Sequence, residues 1–156
     1  MSAPTGFIAE PDAVVLDLEA ETGEAAVRVL HERLSAGSDA VIDAKKFLAD
    51  LKVRMRMAPV CIAADIALPH ARTNSVSRLV LGVGRARKPI PFDPLHQEVR
   101  LIFLIGTPKD AVTGYLQAVA VLSRIMRNPK IRGGLYAAKD EAEFRALLAG
   151  GVAASR

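Results

Sequence analysis

The chain of 156 residues contains a single cysteine, no tryptophan, and aromatic side chains at only 4% of its positions. Each scarcity removes a class of protein. Cys61 alone cannot close an internal disulfide, so the fold must stand on its core, and a reducing cytoplasm is the expected compartment. With no second cysteine at CxxC spacing and no pair of histidines at metal-ligand spacing, a structural zinc site is not expected. Leu101–Ile105 is among the longest strongly apolar tracts, far below the roughly 20 residues of a membrane-spanning helix. No basic segment followed by a long apolar stretch opens the chain, so neither a leader nor a membrane segment is expected. Gly 11 and Pro 9 are too few for a collagen-like or linker-dominated chain. No repeat of 20–50 residues, the spacing of solenoids and propellers, is visible.

What is present is core. Hydrophobic residues make up 51% and charged residues 24% of the chain, enough for one compact domain over residues 1–156. The ends, 1–11 and 150–156, are expected to fray. A formal net charge of +4 permits an anionic partner without naming one. A nucleic-acid-binding module drawing on Arg85, Arg87, Lys88, Arg124, Arg127, Lys130 and Arg132 is the competing use of that charge, but the few aromatics offer no stacking platform, and no nucleic-acid partner is expected.

Periodicity alternates along the chain. Val14–Leu18 reads as a strand, and Thr22–Ala36 as a helix with Ala26, Val29, Leu30 and Leu34 on one face and Gly37 as its stop. Asp43 is the expected N-cap of a second helix carrying Phe47, Leu48 and Leu51 until Pro59. Val60–Ile66 is apolar and should thread inward, Leu68-Pro69-His70 reads as a turn or strand end, and Ser77–Gly84 as a strand. Pro89, Pro91 and Pro94 mark a loop, and Val99–Gly106 is the clearest buried strand. A broad apolar face over Ala111–Arg127 predicts a helix packed on a sheet, closed by Asn128-Pro129. Asp140 and Glu143 form a capping-box-like start for a last helix with Phe144, Leu147 and Leu148 inside, ending at Gly150. The pattern is that of an α/β sandwich, although periodicity leaves the strand order open.

The sequence has three histidines. His31, beside Glu32 and Arg33 in a helix, and His96, in a polar loop, read as solvated surface residues. His70 keeps different company: Leu68-Pro69 stiffens the backbone before it, and Arg72 follows at a distance suited to an anion. A neutral imidazole nitrogen is a nucleophile toward a phosphoryl group, whose oxygens need donors such as Arg72, Arg54, Arg56 or backbone N–H groups. A turn histidine with no chemical role is the alternative left open by these residues alone. Met55 and Met57 read as fillers of core or interface gaps, Cys61 as a small buried hydrophobe, and Arg56 equally as a helix-end charge opposing the dipole.

The run from Arg54 through Met55-Arg56-Met57-Ala58-Pro59-Val60-Cys61-Ile62-Ala63-Ala64-Asp65-Ile66-Ala67-Leu68-Pro69-His70-Ala71 to Arg72 resembles the active-site signature of phosphotransferase-system enzyme IIA domains of the fructose/mannitol type, which include the nitrogen-regulatory IIA proteins. Pro89-Ile90-Pro91-Phe92-Asp93 is similar to the family's Pro-Ile-x-Phe loop. Val99–Pro108, Tyr115 through Asn128 and Asp140–Leu148 resemble its later strand and helices. The resemblance implies a single-domain sandwich with a mixed β-sheet flanked by helices. It implies that His70 accepts a phosphoryl group from an HPr-type phosphocarrier, with Arg54, Arg72 and Tyr115 around the phosphate, and that no metal or organic cofactor takes part. A separate IIB or transporter chain, or a regulatory target, would lie downstream. Met55 stands where the family has glutamate, Val60 where it has threonine or serine, and Tyr115 where it has a second histidine. Two functions therefore remain open: a phosphohistidine carrier or regulator, and a binding module that keeps the fold without the chemistry.

Overall fold

The computed structural model describes residues 10–154. Strand β1 (Ala13–Leu18) is followed by helices α1 (Gly23–Gly37) and α2 (Ala44–Met57), and then by three short strands, β2 (Cys61–Ala63), β3 (Ile66–Ala67) and β4 (His70–Arg72). Two long strands, β5 (Val80–Ile90) and β6 (Val99–Thr107), precede helices α3 (Val112–Met126), α4 (Pro129–Ala137) and α5 (Glu141–Ala154). The sheet runs β1-β5-β6-β3-β2, with β4 also paired to β6. It is mixed: β1 is parallel to β5, β5 antiparallel to β6, and both β3 and β4 parallel to β6.

Strand β6 explains the layering. Successive side chains of a strand point to opposite faces. Leu101, Phe103 and Ile105 accordingly join one core with Leu122, Ile125, Leu135 and Phe144 from α3, α4 and α5. Ile102 and Leu104 join a second core with Leu30, Leu34, Phe47 and Leu51 from α1 and α2. All these β6 side chains are fully buried. The result is a three-layer sandwich, as the alternating pattern of the sequence predicts.

The helix ends follow their caps. Thr22 Oγ1 accepts from Ala25 N at 3.1 Å and Asp43 Oδ1 from Lys46 N at 3.0 Å. Asp140 Oδ1 accepts from Glu143 N at 2.8 Å, and the Glu143 carboxylate reaches back to Lys139 N at 2.7 Å. Asn128-Pro129, read in the sequence as a stop, also starts the next helix. The Asn128 side chain accepts from Lys130 N and Ile131 N, and Pro129 occupies the first turn of α4, where its missing N–H costs nothing.

Two boundaries differ from expectation. Strand β5 extends through Pro89 to Ile90, because β6 still pairs with it at Val99 after a register shift. Helix α5 does not end at Gly150 but continues to Ala154, with Gly151 and Val152 buried against Ile125 and Ile131, so the stretch from 150 to 154 is ordered by packing. Residues 1–9 and 155–156 of the expected frayed ends lie outside the described residues.

Candidate functional site

Strand β4 lies parallel to the end of β6, with His70 opposite Ile105, Ala71 opposite Gly106 and Arg72 opposite Thr107. Ala71 is buried, so the strand alternation leaves His70 and Arg72 projecting together on the other side. Gly106 is required here. A Cβ at that position would stand 2.5 Å from Phe47 Cζ, and the bare backbone lets the first turn of α2 close on the sheet. That closure brings the far end of α2, with Arg54, to His70.

His70 is held at both nitrogens. Arg54 donates its Nε–H to His70 Nε2 at 3.3 Å, and the guanidinium nitrogen can only donate, so Nε2 carries the lone pair. The ring proton therefore sits on Nδ1, which donates to the Leu68 carbonyl at 3.0 Å. Burial lowers the His70 pKa below the ordinary histidine value; the Leu68 carbonyl opposes this and the Arg54 charge adds to it. The imidazole is neutral at pH 7, with its lone pair aimed at a cation.

The cations are anchored through backbone carbonyls. Arg54 Nη1 donates to Ala58 O at 3.0 Å, past the end of α2, and Arg72 Nη2 to Lys109 O at 2.8 Å. Among the described residues neither guanidinium is paired with a carboxylate. Both retain free N–H groups. A cleft of about 330 Å³ opens between α2 and β4, lined by His70, Arg54, Arg72, Lys109, Asp50 and the apolar Val53 and Met57. Its carboxylate is already engaged: Asp50 Oδ2 accepts from Thr73 Oγ1 at 2.7 Å and from Lys46 Nζ at 3.1 Å. Although burial pushes the Asp50 pKa up, these hydrogen bonds outweigh it and hold the group below its ordinary value. The cleft thus presents a nucleophilic nitrogen among unpaired cations, which suits a tetrahedral dianion.

Tyr115, in the first turn of α3, meets His70 ring to ring with centroids 5.1 Å apart and planes tilted 37°. It meets the imidazole by this ring contact and is not among the residues that line the cleft. Burial raises its pKa while Arg54 and Arg72 pull it down, so the hydroxyl stands in the field of both.

The structure thus brings His70, Arg54, Arg72 and Tyr115 together. Sequence reading missed Asp50 and Lys109. Asp50 lies one turn before Arg54 and was accessible to helical periodicity, whereas Lys109 reaches the site only through the β4–β6 pairing. Two histidines are corrected. His31 is 5% exposed, its Nε2 donating to Ala44 O at 2.7 Å and its ring packed on Phe47, because its helix face meets α2 rather than water. His96 is partly buried and pairs through Nδ1 with the Asp93 carboxylate at 2.9 Å. Met57 is 75% exposed at the cleft rim, whereas Met55 packs against the α1–α2 core. Cys61 is only partly buried.

Comparison with known proteins agrees with this architecture. Residues 7–150 match the model of the family described as phosphoenolpyruvate-dependent sugar phosphotransferase system, EIIA 2. The chain belongs to this family. Over 139 residues it is 27% identical to a fructose-specific EIIA component of Haloferax volcanii, covering 88% of this chain and 90% of that one. Over 140 residues it is 24% identical to a 2-O-α-mannosyl-D-glycerate-specific EIIABC component of Escherichia coli; the match covers 88% of this chain but spans only 21% of that longer protein. The crystal structure of nitrogen regulatory protein IIA-Ntr from Neisseria meningitidis superposes with a TM-score of 0.76 at 24% identity, covering 88% of this chain and 93% of that one, which establishes the shared fold. No helix among the described residues is long and apolar enough to cross a membrane.

Proposed function

We propose that this EIIA-family chain is a phosphohistidine carrier or regulator in which His70 Nε2 accepts a phosphoryl group from an HPr-type phosphocarrier. The observation that carries this reading is the fixed tautomer: Nδ1–H is tied to Leu68 O, and the Nε2 lone pair faces the cationic cleft. In the transfer, a bond forms between Nε2 and phosphorus as the donor's N–P bond breaks, and its electron pair returns to the donor imidazole. His70 keeps its Nδ1 proton, and the ring charge that develops is stabilised by the Leu68 carbonyl. Arg54 Nε–H, displaced from Nε2, turns to a phosphoryl oxygen, while Arg72 and Lys109 supply further positive charge. Positioning and charge carry the reaction, and no metal or organic cofactor enters it.

The rim of the cleft suits a protein donor. Val53 is 56% and Met57 75% exposed, and on the helix bearing Tyr115, Val112 and Leu116 are 41% and 58% exposed. Apolar side chains around a cationic centre match a protein that brings a phosphohistidine to its partner. The recipient is a separate IIB or transporter component, as the EIIABC relative suggests, or a regulatory target, as the nitrogen-regulatory relative suggests, and the reaction belongs in the cytoplasm. Incubation with phosphoenolpyruvate, enzyme I and an HPr-type carrier tests this: acid-labile phosphate should appear on the wild type and not on His70→Ala. Absence of label on the wild type would leave a binding module with the family fold, the reading favoured by Met55, Val60 and Tyr115 at the positions noted above.

A further inference from the structure

Among the described residues, outside the His70 cleft, one cluster of ligating groups comes from separate parts of the chain. Cys61 opens β2, while Asp93 and His96 close the tight turn between β5 and β6. The thiol sulfur, a carboxylate oxygen and an imidazole nitrogen all lie within 4.8 Å of one another, and all three residues are partly buried. We propose that Cys61, Asp93 and His96 form a binding site for a zinc-class divalent cation.

Three observations support it. The donor set of one sulfur, one nitrogen and one oxygen is borderline-soft; it favours zinc and its neighbours over calcium or magnesium, which take oxygen cages. The geometry is close, since bonds of about 2.0–2.3 Å around a tetrahedral ion place donors about 3.3–3.8 Å apart, against 2.9 Å between His96 Nδ1 and the Asp93 carboxylate and no more than 4.8 Å across the set. The turn is also preformed. Phe92 N donates to His96 O at 2.8 Å, His96 N to Asp93 O at 3.0 Å, and Leu95 N to Asp93 Oδ1 at 2.9 Å. The Phe92 ring anchors it by lying over Gly23, where a Cβ would stand 2.6 Å from the ring.

A cleft of about 290 Å³ bordered by Met55, Arg56, Val60, Phe92 and Asp93 adjoins the cluster at Asp93. The Arg56 charge is partly offset by Glu24 at 3.7 Å. On binding, the Cys61 thiol proton leaves to solvent as the sulfur–metal bond forms, and the ion takes the place of the His96 Nδ1 proton now shared with Asp93; that proton is given up to solvent, while the neutral ring carries its proton on Nε2. Three protein donors leave a fourth position for water. CxxC and paired-histidine spacing do not reveal such a site, because its ligands meet only through the β2–β3 hairpin and the β5–β6 turn. The site is independent of the phosphoryl-transfer reading.

Titration of the metal-free chain with cobalt(II), a spectroscopic stand-in for zinc, tests the proposal. One equivalent should bind, with the visible bands of a tetrahedral ion and a near-ultraviolet thiolate-to-cobalt band, and zinc should displace it. Cys61→Ser should abolish the thiolate band, and Asp93→Asn or His96→Gln should each weaken binding by at least about tenfold, the scale on which a metal site responds to changed partners. Circular dichroism should show each variant folded. Absence of saturable binding, persistence of the band in Cys61→Ser, or loss of binding in His70→Ala with retention in folded Asp93→Asn and His96→Gln would overturn the proposal.

Discussion

His70 and His96 are both partly buried imidazoles held through Nδ1 by an oxygen, but the oxygens differ in charge. A neutral carbonyl, Leu68 O, holds His70, and the groups facing it are Arg54, Arg72 and Lys109. A carboxylate, Asp93, holds His96, with a thiol beside it. Burial pushes the Asp93 pKa up, yet hydrogen bonds from His96 and Leu95 hold it below its ordinary value. The same side chain is therefore set in one place to meet an anion and in the other to meet a cation. The surrounding charge makes the distinction, and sequence spacing gives little sign of it.

The comparison breaks most severely at Arg54. Arg54→Ala removes the donor facing Nε2 and is expected to slow phosphoryl acceptance by about 10²–10³-fold, as loss of one preorganised donor to a developing charge does. Steady-state labelling by the HPr-type carrier measures it. An unchanged rate would mean that cationic company is not what separates the two histidines, and cobalt binding at Cys61 should be unaffected either way.

Gly106→Ala tests the scaffold beneath His70 alone. Its Cβ would meet the Phe47 ring, and overpacking of this kind costs about 1–3 kcal/mol. Thermal unfolding should show a fall of about 2–4 °C per kcal/mol for a chain of this size. Labelling should slow as well, because α2 carries both Phe47 and Arg54. Pairing the change with Phe47→Leu should recover part of both losses.

Acid sharpens the contrast further. Burial lowers the pKa of both His70 and His31. In the unfolded chain these groups take up protons near pH 6.5, while the folded chain binds fewer, so their contribution to stability is complete above about pH 6.5 and declines as pH falls through it. The urea midpoint should drop between neutral and mildly acidic pH, and His70→Gln should flatten the slope. The carboxylates Asp50 and Asp93, whose pKa values are also lowered, act in a separate window at roughly pH 4 and below. The smallest effect concerns Tyr115. Tyr115→His is expected to raise the labelling rate a few-fold by adding a group able to become cationic beside the phosphate, and an unchanged rate would remove Tyr115 from the mechanism.

Much of the fold was legible because single elements carried strong signals. The unbroken apolar run of β6 and the wide face of α3 each predict their own environment. Asn128-Pro129 was ambiguous for a physical reason, since the pair that cannot continue one helix is well suited to begin another. Pro89 misleads because a proline need only lack a ladder donor at its own position, and β5 resumes pairing beyond it. His31 looked solvated from its charged sequence neighbours, whereas burial depends on which helix face meets α2. At the site, His70 and its arginines could be found along the chain. Lys109, Gly106 and the meeting of Cys61 with His96 depend on strand order, which hydrophobic periodicity does not encode.

The central claim is that His70 presents Nε2, with Nδ1 protonated, to the incoming phosphoryl group. Nitrogen-15 spectra of the imidazole before and after labelling by the phosphorylated carrier test it most directly. The expected result is an Nδ1–H tautomer that becomes substituted at Nε2, with the neutral ring persisting below pH 6.5, the ordinary histidine midpoint. An Nε2–H tautomer, phosphorus on Nδ1, or no phosphorylation of His70 would contradict it.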